Sequence, residues 1–288
     1  MADPPVIELE PSSAADVGGE LVFIGTATVL LRLGDFTVLT DPNFLHRGDH
    51  AKLGYGLRSK RLTEPAMTVA QLPPLDLIVL SHYHGDHFDE VAARELRKDV
   101  PIVTTAHAAR KLTAQGFTAP VALDTWQSQV VVRGDARLRI TAMPGKHGPQ
   151  PLDALLPPVM GSMLELTRGS EAPLRLYISG DTLLHDALKE IPRRYTDIDL
   201  ALIHLGGTRI LGVLLTMDAD QGVRALQLIR PHTAVPIHYD DYTVFKEPLE
   251  EFERVVAAAS LATEIQYVER GATYRFASRP GTRGSTAT

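Results

Sequence analysis

Three histidines and one aspartate fall within six positions of the segment Ser81-His82-Tyr83-His84-Gly85-Asp86-His87. Neutral imidazole nitrogens and carboxylate oxygens are what a divalent metal takes as ligands, at about 2.0 to 2.2 Å. The segment follows an apolar run, residues 75–80, of buried-strand length, and precedes a helical pattern over 90–98. A loop leaving a strand turns His82 and His84 inward together while Asp86 and His87 face a second ion. Three more candidates each follow an expected strand: His147 after 138–142, Asp181 after 174–178 and His238 after 234–237. In layered α/β folds the loops at strand ends converge on a site, so residues far apart in sequence meet there. Five His and two Asp are the inventory for two metals.

The elements that must position these residues follow from periodicity. Strands are expected at 21–24, 29–33 and 36–40, the last two joined by Gly34-Asp35, then at 75–80, 102–104, 129–132, 138–142, 162–166, 174–178, 200–203, 234–237, 265–268 and 273–276. Helices are expected at 90–98, 183–190 with Pro192 as the stop, 218–229 and 249–259. Hairpins that give way to strand–helix alternation, in each of two halves, predict an α/β protein with two sheets packed face to face and helices outside. One domain over 20–277 is expected, with 1–19 and 278–288 as flexible termini.

Composition narrows the chemistry. There is no cysteine, so disulfides, thiolate nucleophiles, iron–sulfur clusters and cysteine zinc sites are excluded. With 35 acidic and 29 basic residues the net charge is -6, which disfavours broad capture of nucleic acid. The opening MADPPVIELE lacks the basic start and apolar run of a secretory signal, and no stretch of 18 apolar residues occurs, so a cytoplasmic protein without a membrane span is expected.

The order HxHxDH, lone His, lone Asp, final His resembles the metallo-β-lactamase superfamily, and Thr40-Asp41-Pro42 and Gly180-Asp181-Thr182 fall where that family has such motifs. Within it, the chain is most similar to the branch that includes ascorbate-6-phosphate lactonase and N-acylphosphatidylethanolamine-hydrolysing phospholipase D. The resemblance implies an αββα four-layer sandwich, with His82, His84 and His147 on one metal, Asp86, His87 and His238 on the other, Asp181 bridging both, and Asp41 in support. Flavodiiron relatives carry Glu where this chain has His84, so redox chemistry is disfavoured; a mononuclear-iron dioxygenase branch keeps a related ligand set. Two divalent ions are implied, zinc first, with manganese and iron as alternatives.

Two such ions, about 3.5 to 4 Å apart, hold a bridging water whose pKa falls toward neutrality while one ion polarises the scissile bond. That chemistry is expected to make a hydrolase of a small-molecule ester, lactone or phosphodiester, acting through a metal-bridging hydroxide. The alternatives are a phosphodiesterase or nuclease on a larger substrate, and a metal-stabilised binding protein without turnover. Asp86 is either a proton carrier or a ligand alone. His204 and His185 either serve the leaving group or a ligand, or are ordinary polar residues. Arg58, Lys60 and Arg61, in a basic, glycine-containing segment, form either a solvated face or a lid that meets an anionic substrate. Tyr239, Asp240 and Tyr242 are candidates to shape the mouth of the site. The apolar stretches 157–160 and 210–215 either wall a pocket or form a dimer contact, which leaves a homo-oligomer open.

Overall fold

Alternation along the strands decides how the chain is layered. In Leu200–His204, Leu200 and Leu202 pack with Leu176, Ile178 and Val235, whereas Ala201 and Ile203 pack on the opposite face with Tyr177, Val223 and Leu226. A strand buried on both faces has to lie between two layers. The same parity operates in the other half, where Leu77 and Val79 face the first cluster while Ile78 faces Ala92, Leu112 and Phe117.

The computed structural model describes residues 4–10 and 18–278. One sheet has seven strands, in the order Thr273–Phe276, Gly19–Gly25, Thr28–Leu33, Phe36–Thr40, Leu77–Val79, Ile102–Thr104 and Pro120–Ala122. The other has eight, in the order Val6–Glu8, Ser128–Arg133, Ala136–Met143, Gly161–Arg168, Leu174–Ile178, Leu200–His204, Thr233–Ile237 and Glu264–Ile265. Both are mixed: antiparallel meanders run into parallel strands, from Phe36–Thr40 onward in the first and from Leu174–Ile178 onward in the second. Parallel neighbours need crossover connections, and helices supply most of them. Helices Glu90–Glu95 and Ala106–Ala114 cover the outside of the seven-stranded sheet, and Glu190–Arg194, Ala219–Ile229 and Leu249–Ala258 cover that of the eight-stranded one. The fold is thus the four-layer αββα sandwich expected from the sequence, with its largest apolar core between the sheets.

Several elements depart from the periodicity reading. Helix Ala106–Ala114 was not expected, although Thr105 caps its start by accepting from the Ala108 N–H and Gly116 follows its end at φ +87°. Pro192 does not stop the helix expected over 183–190. A 3₁₀ turn, Asp186–Lys189, leads into Glu190–Arg194, and Pro192 sits in that helix's first turn, where its missing N–H costs nothing. The flexible terminus expected over 1–19 does not extend to Val6–Glu8, which pairs in parallel with Ser128–Arg133 while Ile7 and Leu9 rest on the core. Residues 1–3, 11–17 and 279–288 lie outside the described residues. Among the described residues no helix is long and apolar enough to cross a membrane.

Candidate metal centre

The motif leaves strand Leu77–Val79 and runs until Asp89 caps the next helix, its carboxylate accepting from the Ala92 N–H at 2.7 Å. Asp89 also accepts from the Leu45 N–H at 2.7 Å and from Asn43 Nδ2 at 3.1 Å, so one side chain fixes the far end of the loop to the segment after Asp41. Gly85 is required by close approach. A Cβ there would lie 2.5 Å from the backbone nitrogen of Lys52, and the Gly85 N–H donates to the Lys52 carbonyl at 3.0 Å. The hairpin His50–Gly54/Leu57–Lys60 is thereby seated directly on the motif.

Around this loop the structure gathers buried imidazoles and carboxylates into four overlapping groups whose ligand atoms lie within 4.8 Å of one another: His82/His84/His147, His82/His87/Asp181, Asp86/His87/His238 and Asp41/His87/His204. All seven residues proposed from the sequence as metal ligands are therefore brought together. Asp181 is central: its Oδ2 lies 3.3 Å from His87 Nε2 and its Oδ1 3.5 Å from His238 Nε2. Asp86 Oδ2 lies 3.6 Å from His238 Nε2. Backbone geometry is spent to achieve this. His238 has φ +64°, a left-handed conformation that costs an L-residue about 1 to 2 kcal/mol, and Asp41 lies at φ +34°.

The other ring nitrogens are already engaged. His87 Nδ1 is 3.1 Å from Asp41 Oδ2, His147 Nδ1 is 3.1 Å from the Leu215 carbonyl, and His238 Nδ1 is 3.3 Å from the Leu205 carbonyl. These acceptors leave Nε2 of each ring aimed at the cluster. Asp86 Oδ1, His87 Nε2, Asp181 Oδ1 and His238 Nε2 are buried with no hydrogen-bond partner, a costly arrangement that bound cations would relieve. The donor set, imidazole nitrogen and carboxylate oxygen, fits divalent transition-metal ions.

The charges divide accordingly. Burial holds His84 down to about 3 and His82 well below the usual imidazole range, and it also lowers His147, so this side is neutral at pH 7. Burial likewise opposes charge on the other side, but there it is outweighed. Asp181, Asp86 and Asp41 push His87 well upward, Asp181 and Asp86 raise His238, and His238 and His87 hold Asp181 well down. Burial raises the Asp41 carboxyl, yet the charge of His87 and the approach of His204 and His87 bring it to about 2.

Of the remaining candidates, His204 is fully buried behind the cluster. Its Nδ1 is 3.2 Å from Ser179 Oγ, and its Nε2 lies 3.5 Å from Asp41 Oδ2, so it faces Asp41 and not a leaving group. Arg61 does not meet solvent either. It is fully buried, 3.6 Å from Asp241, bonded to the Asn43 side chain and carbonyl and to the Thr63 carbonyl, and 5.5 Å over the Tyr242 ring. It is a clamp at the base of the hairpin, and the lid reading fails for it. Arg58 lines a cleft with His46, Asp49 and Arg94 that adjoins the opening to the centre through Lys52 and Glu90, and Lys60 is exposed. Tyr239 packs beside Phe23 and toward Phe252 under the outer helices, away from the mouth, and Tyr242 is buried with Arg61. His185 lies in a third cleft with Lys189 and Arg224.

The opening to the centre is a cleft of about 730 Å³ that His84 lines. The hairpin supplies one wall through Leu53 and Tyr55, and the segment with Leu156, Pro157 and Pro158 supplies another, so the first apolar stretch walls a pocket. Tyr55 Oη donates to the Leu155 carbonyl at 2.7 Å, joining the two walls. The second stretch instead forms the small hairpin Arg209–Ile210/Val213–Leu214, with Leu211 exposed at its tip. Three contributors escaped the sequence reading. Ser81 donates to Asp41 from backbone and hydroxyl at 2.6 and 2.9 Å, Thr216 Oγ1 donates to Asp181 Oδ2 at 3.1 Å, and helix Ala106–Ala114 lines the cleft. Ser81 adjoins the motif and could have been found by position, but nothing local marks Thr216.

The model of the Beta-lactamase superfamily domain matches residues 37–239 of the chain. A metal-dependent hydrolase of Anaeromyxobacter sp. (strain K) is 27% identical over 221 residues, covering 75% of this chain and 76% of its own. One from Aeropyrum pernix is 24% identical over 270 residues, covering 89% and 97%. Among solved structures, isothiocyanate hydrolase from Delia radicum gut bacteria superposes with a TM-score of 0.74 at 23% identity, covering 88% of this chain and 98% of that one. Igni18, a metallo hydrolase of Ignicoccus hospitalis, does so with a TM-score of 0.66 at 20% identity, covering 90% and 98%.

Proposed function

The chain belongs to the β-lactamase superfamily and is a metal-dependent hydrolase, and on that premise we propose that it cleaves an ester, lactone or phosphodiester of a small molecule at a centre for two divalent cations. The observation that supports this reading best is the set of buried, unpartnered atoms on Asp86, His87, Asp181 and His238 beside the triple-imidazole group. His82, His84 and His147 would hold one cation and Asp86, His87 and His238 the other, with Asp181 between them. Zinc suits the nitrogen-rich set, and manganese and iron are the alternatives. Bound there, the cations supply Lewis acidity and a water that ionises near neutral pH.

The chain's own residues do the rest. Asp41 and the carbonyls of Leu205 and Leu215 accept from the outer ring nitrogens, which fixes ring orientation and raises the basicity of Nε2. Thr216 fixes the rotation of Asp181. Asp86, almost fully buried and anionic, offers Oδ1 as the place to hold the proton of the attacking water and return it to the leaving group. His204 acts as a positioning residue through Asp41. The size of the cleft, within the usual range for small-molecule sites, favours a small substrate over a polymer.

Elemental analysis of purified protein, with a panel of lactones, phosphodiesters and thioesters, tests the proposal. About two metal equivalents and turnover on one class are expected. One equivalent, with Asp181→Ala retaining it, would overturn the dinuclear reading.

A further inference from the structure

The cleft that leads to His84 has a lining of two chemically different kinds. Much of its wall is apolar, with Leu53, Phe88, Leu156 and Pro157 among the residues facing the space. Set into this lining is a polar stripe: His107, Lys111 and Gln115, four residues apart along helix Ala106–Ala114 and its C-cap, and so on one side of that helix. The cleft contains other charges, but they are already neutralised. Lys52 is paired with Glu90 at 2.6 Å, and Asp89 spends its carboxylate on the backbone of Leu45 and Ala92. Lys111, by contrast, has no carboxylate within salt-bridge reach among the described residues. Its neighbour His107 keeps Nδ1 buried, which leaves Nε2 as the ring nitrogen that a ligand can meet, and Gln115 is turned toward the Tyr83 hydroxyl. Burial, then Lys111 and Arg110, lower the His107 pKa, which keeps that ring neutral at pH 7 and able to donate or accept.

We propose that this cleft selects an amphipathic anion: an apolar acyl or aryl body lies along the Leu53, Phe88 and Pro157 walls, and a carboxylate or phosphate head group is received by Lys111 and His107, with the scissile bond toward His84. The proposal rests on the hydrolase reading for the position of the scissile bond, while the recognition itself is independent of turnover. It moves anion recognition from the basic hairpin, where Arg61 is buried and Arg58 lines the adjoining cleft, to a helix that lines this one.

Calorimetric titration of the metal-loaded, full-length protein with octanoate, octyl phosphate and octanamide tests it without relying on catalysis. At least one of the two anions should bind more tightly than the amide, and the tighter one names the head group. Lys111→Met keeps the apolar stem and removes the charge; it should weaken the anions about tenfold, less at high salt, and leave octanamide unchanged. Lys111→Arg should retain most of the affinity, and Arg110→Met, a neighbouring charge that does not line the cleft, should have no effect. Equal losses in Lys111→Met and Arg110→Met would reduce the effect to a general field and overturn the proposal, as would anion affinity untouched by Lys111→Met. If the hydrolysis panel is negative while the Lys111-dependent binding persists, the proposed function fails and this inference stands.

Discussion

The two sides of the buried cluster both present imidazoles, yet only one has carboxylates beside them, and their electrostatics differ accordingly. His82, His84 and His147 meet with no carboxylate of their own, and burial keeps all three neutral. Asp86, His87 and His238 meet beside Asp41 and Asp181, and there the acids raise the pKa of His87 and His238 against the same burial. A cation entering the first group displaces almost no protons at neutral pH. One entering the second must replace the imidazolium charge that now balances the carboxylates, so its affinity should rise more steeply with pH. Ligand identity alone does not set how a site behaves; what stands behind each ligand does.

The strongest way to break this contrast is at the residue both sides share. Asp181→Ala should lower activity by more than about 100-fold and empty both sides, read by elemental analysis beside kinetics, because ligand and supporting losses at metal sites already reach this scale. Loss from the His87 side alone would show that the carboxylate serves only one ion.

Acid sensitivity sharpens the other side. His84 has a folded-state pKa of about 3 against 6.5, so the unfolded chain takes up the proton first as pH falls. In metal-free protein His84 costs nothing above pH 6.5, where the ring is neutral in both states, and stability is lost as pH drops from there toward 3, by on the order of 5 kcal/mol. Urea titrations across that window should show a shallower pH dependence in His84→Gln; an unchanged slope would remove His84 as its source.

The carboxylate side also leans on a clamp that the other side lacks. Asp241 Oδ2 accepts from the Thr26 N–H at 2.6 Å, and the Thr26 carbonyl accepts from the His238 N–H at 2.8 Å, so Arg61 reaches a proposed ligand through its ion pair with Asp241 and these two bonds. Arg61→Met leaves the buried Asp241 with Arg270, at 3.4 Å, as its remaining cation and removes the bonds to Asn43 and Thr63; it should destabilise the fold by about 2 kcal/mol, whereas Lys60→Met should fall within about 0.5 kcal/mol. Similar denaturant midpoints for the two variants would contradict the buried-clamp assignment.

Asp41→Asn should weaken metal binding about 10- to 100-fold, mainly on the His87 side. The stability that wild-type Asp41 contributes above pH 3.8, lost as pH falls through about 2, should vanish with it. The smallest effect is expected from His185→Ala, which lies in another cleft and should change kcat/KM by less than about twofold.

How much of this could be read from the chain depended on whether the signal was local. The HxHxDH spacing, strands such as Leu174–Ile178, and the αββα layering were legible because alternation and ligand clustering act within a few residues. Helix Ala106–Ala114 was passed over despite its cap because its apolar stripe is thin, with only Ala108 and Leu112 buried. Arg58, Lys60 and Arg61 looked alike in sequence, since charge is visible there and burial is not.

The sequence by itself determined the inventory: five histidines and two aspartates at strand ends, no cysteine, and two sheets of alternating side chains, all consequences of residue type and short-range period. Tertiary structure alone decided which ring nitrogen is free, that Arg61 points inward while Lys111 opens on the cleft, and that Thr216 meets Asp181 across 35 positions. Those outcomes rest on desolvation and on contacts between distant segments, and neither exists until the layers have closed on one another.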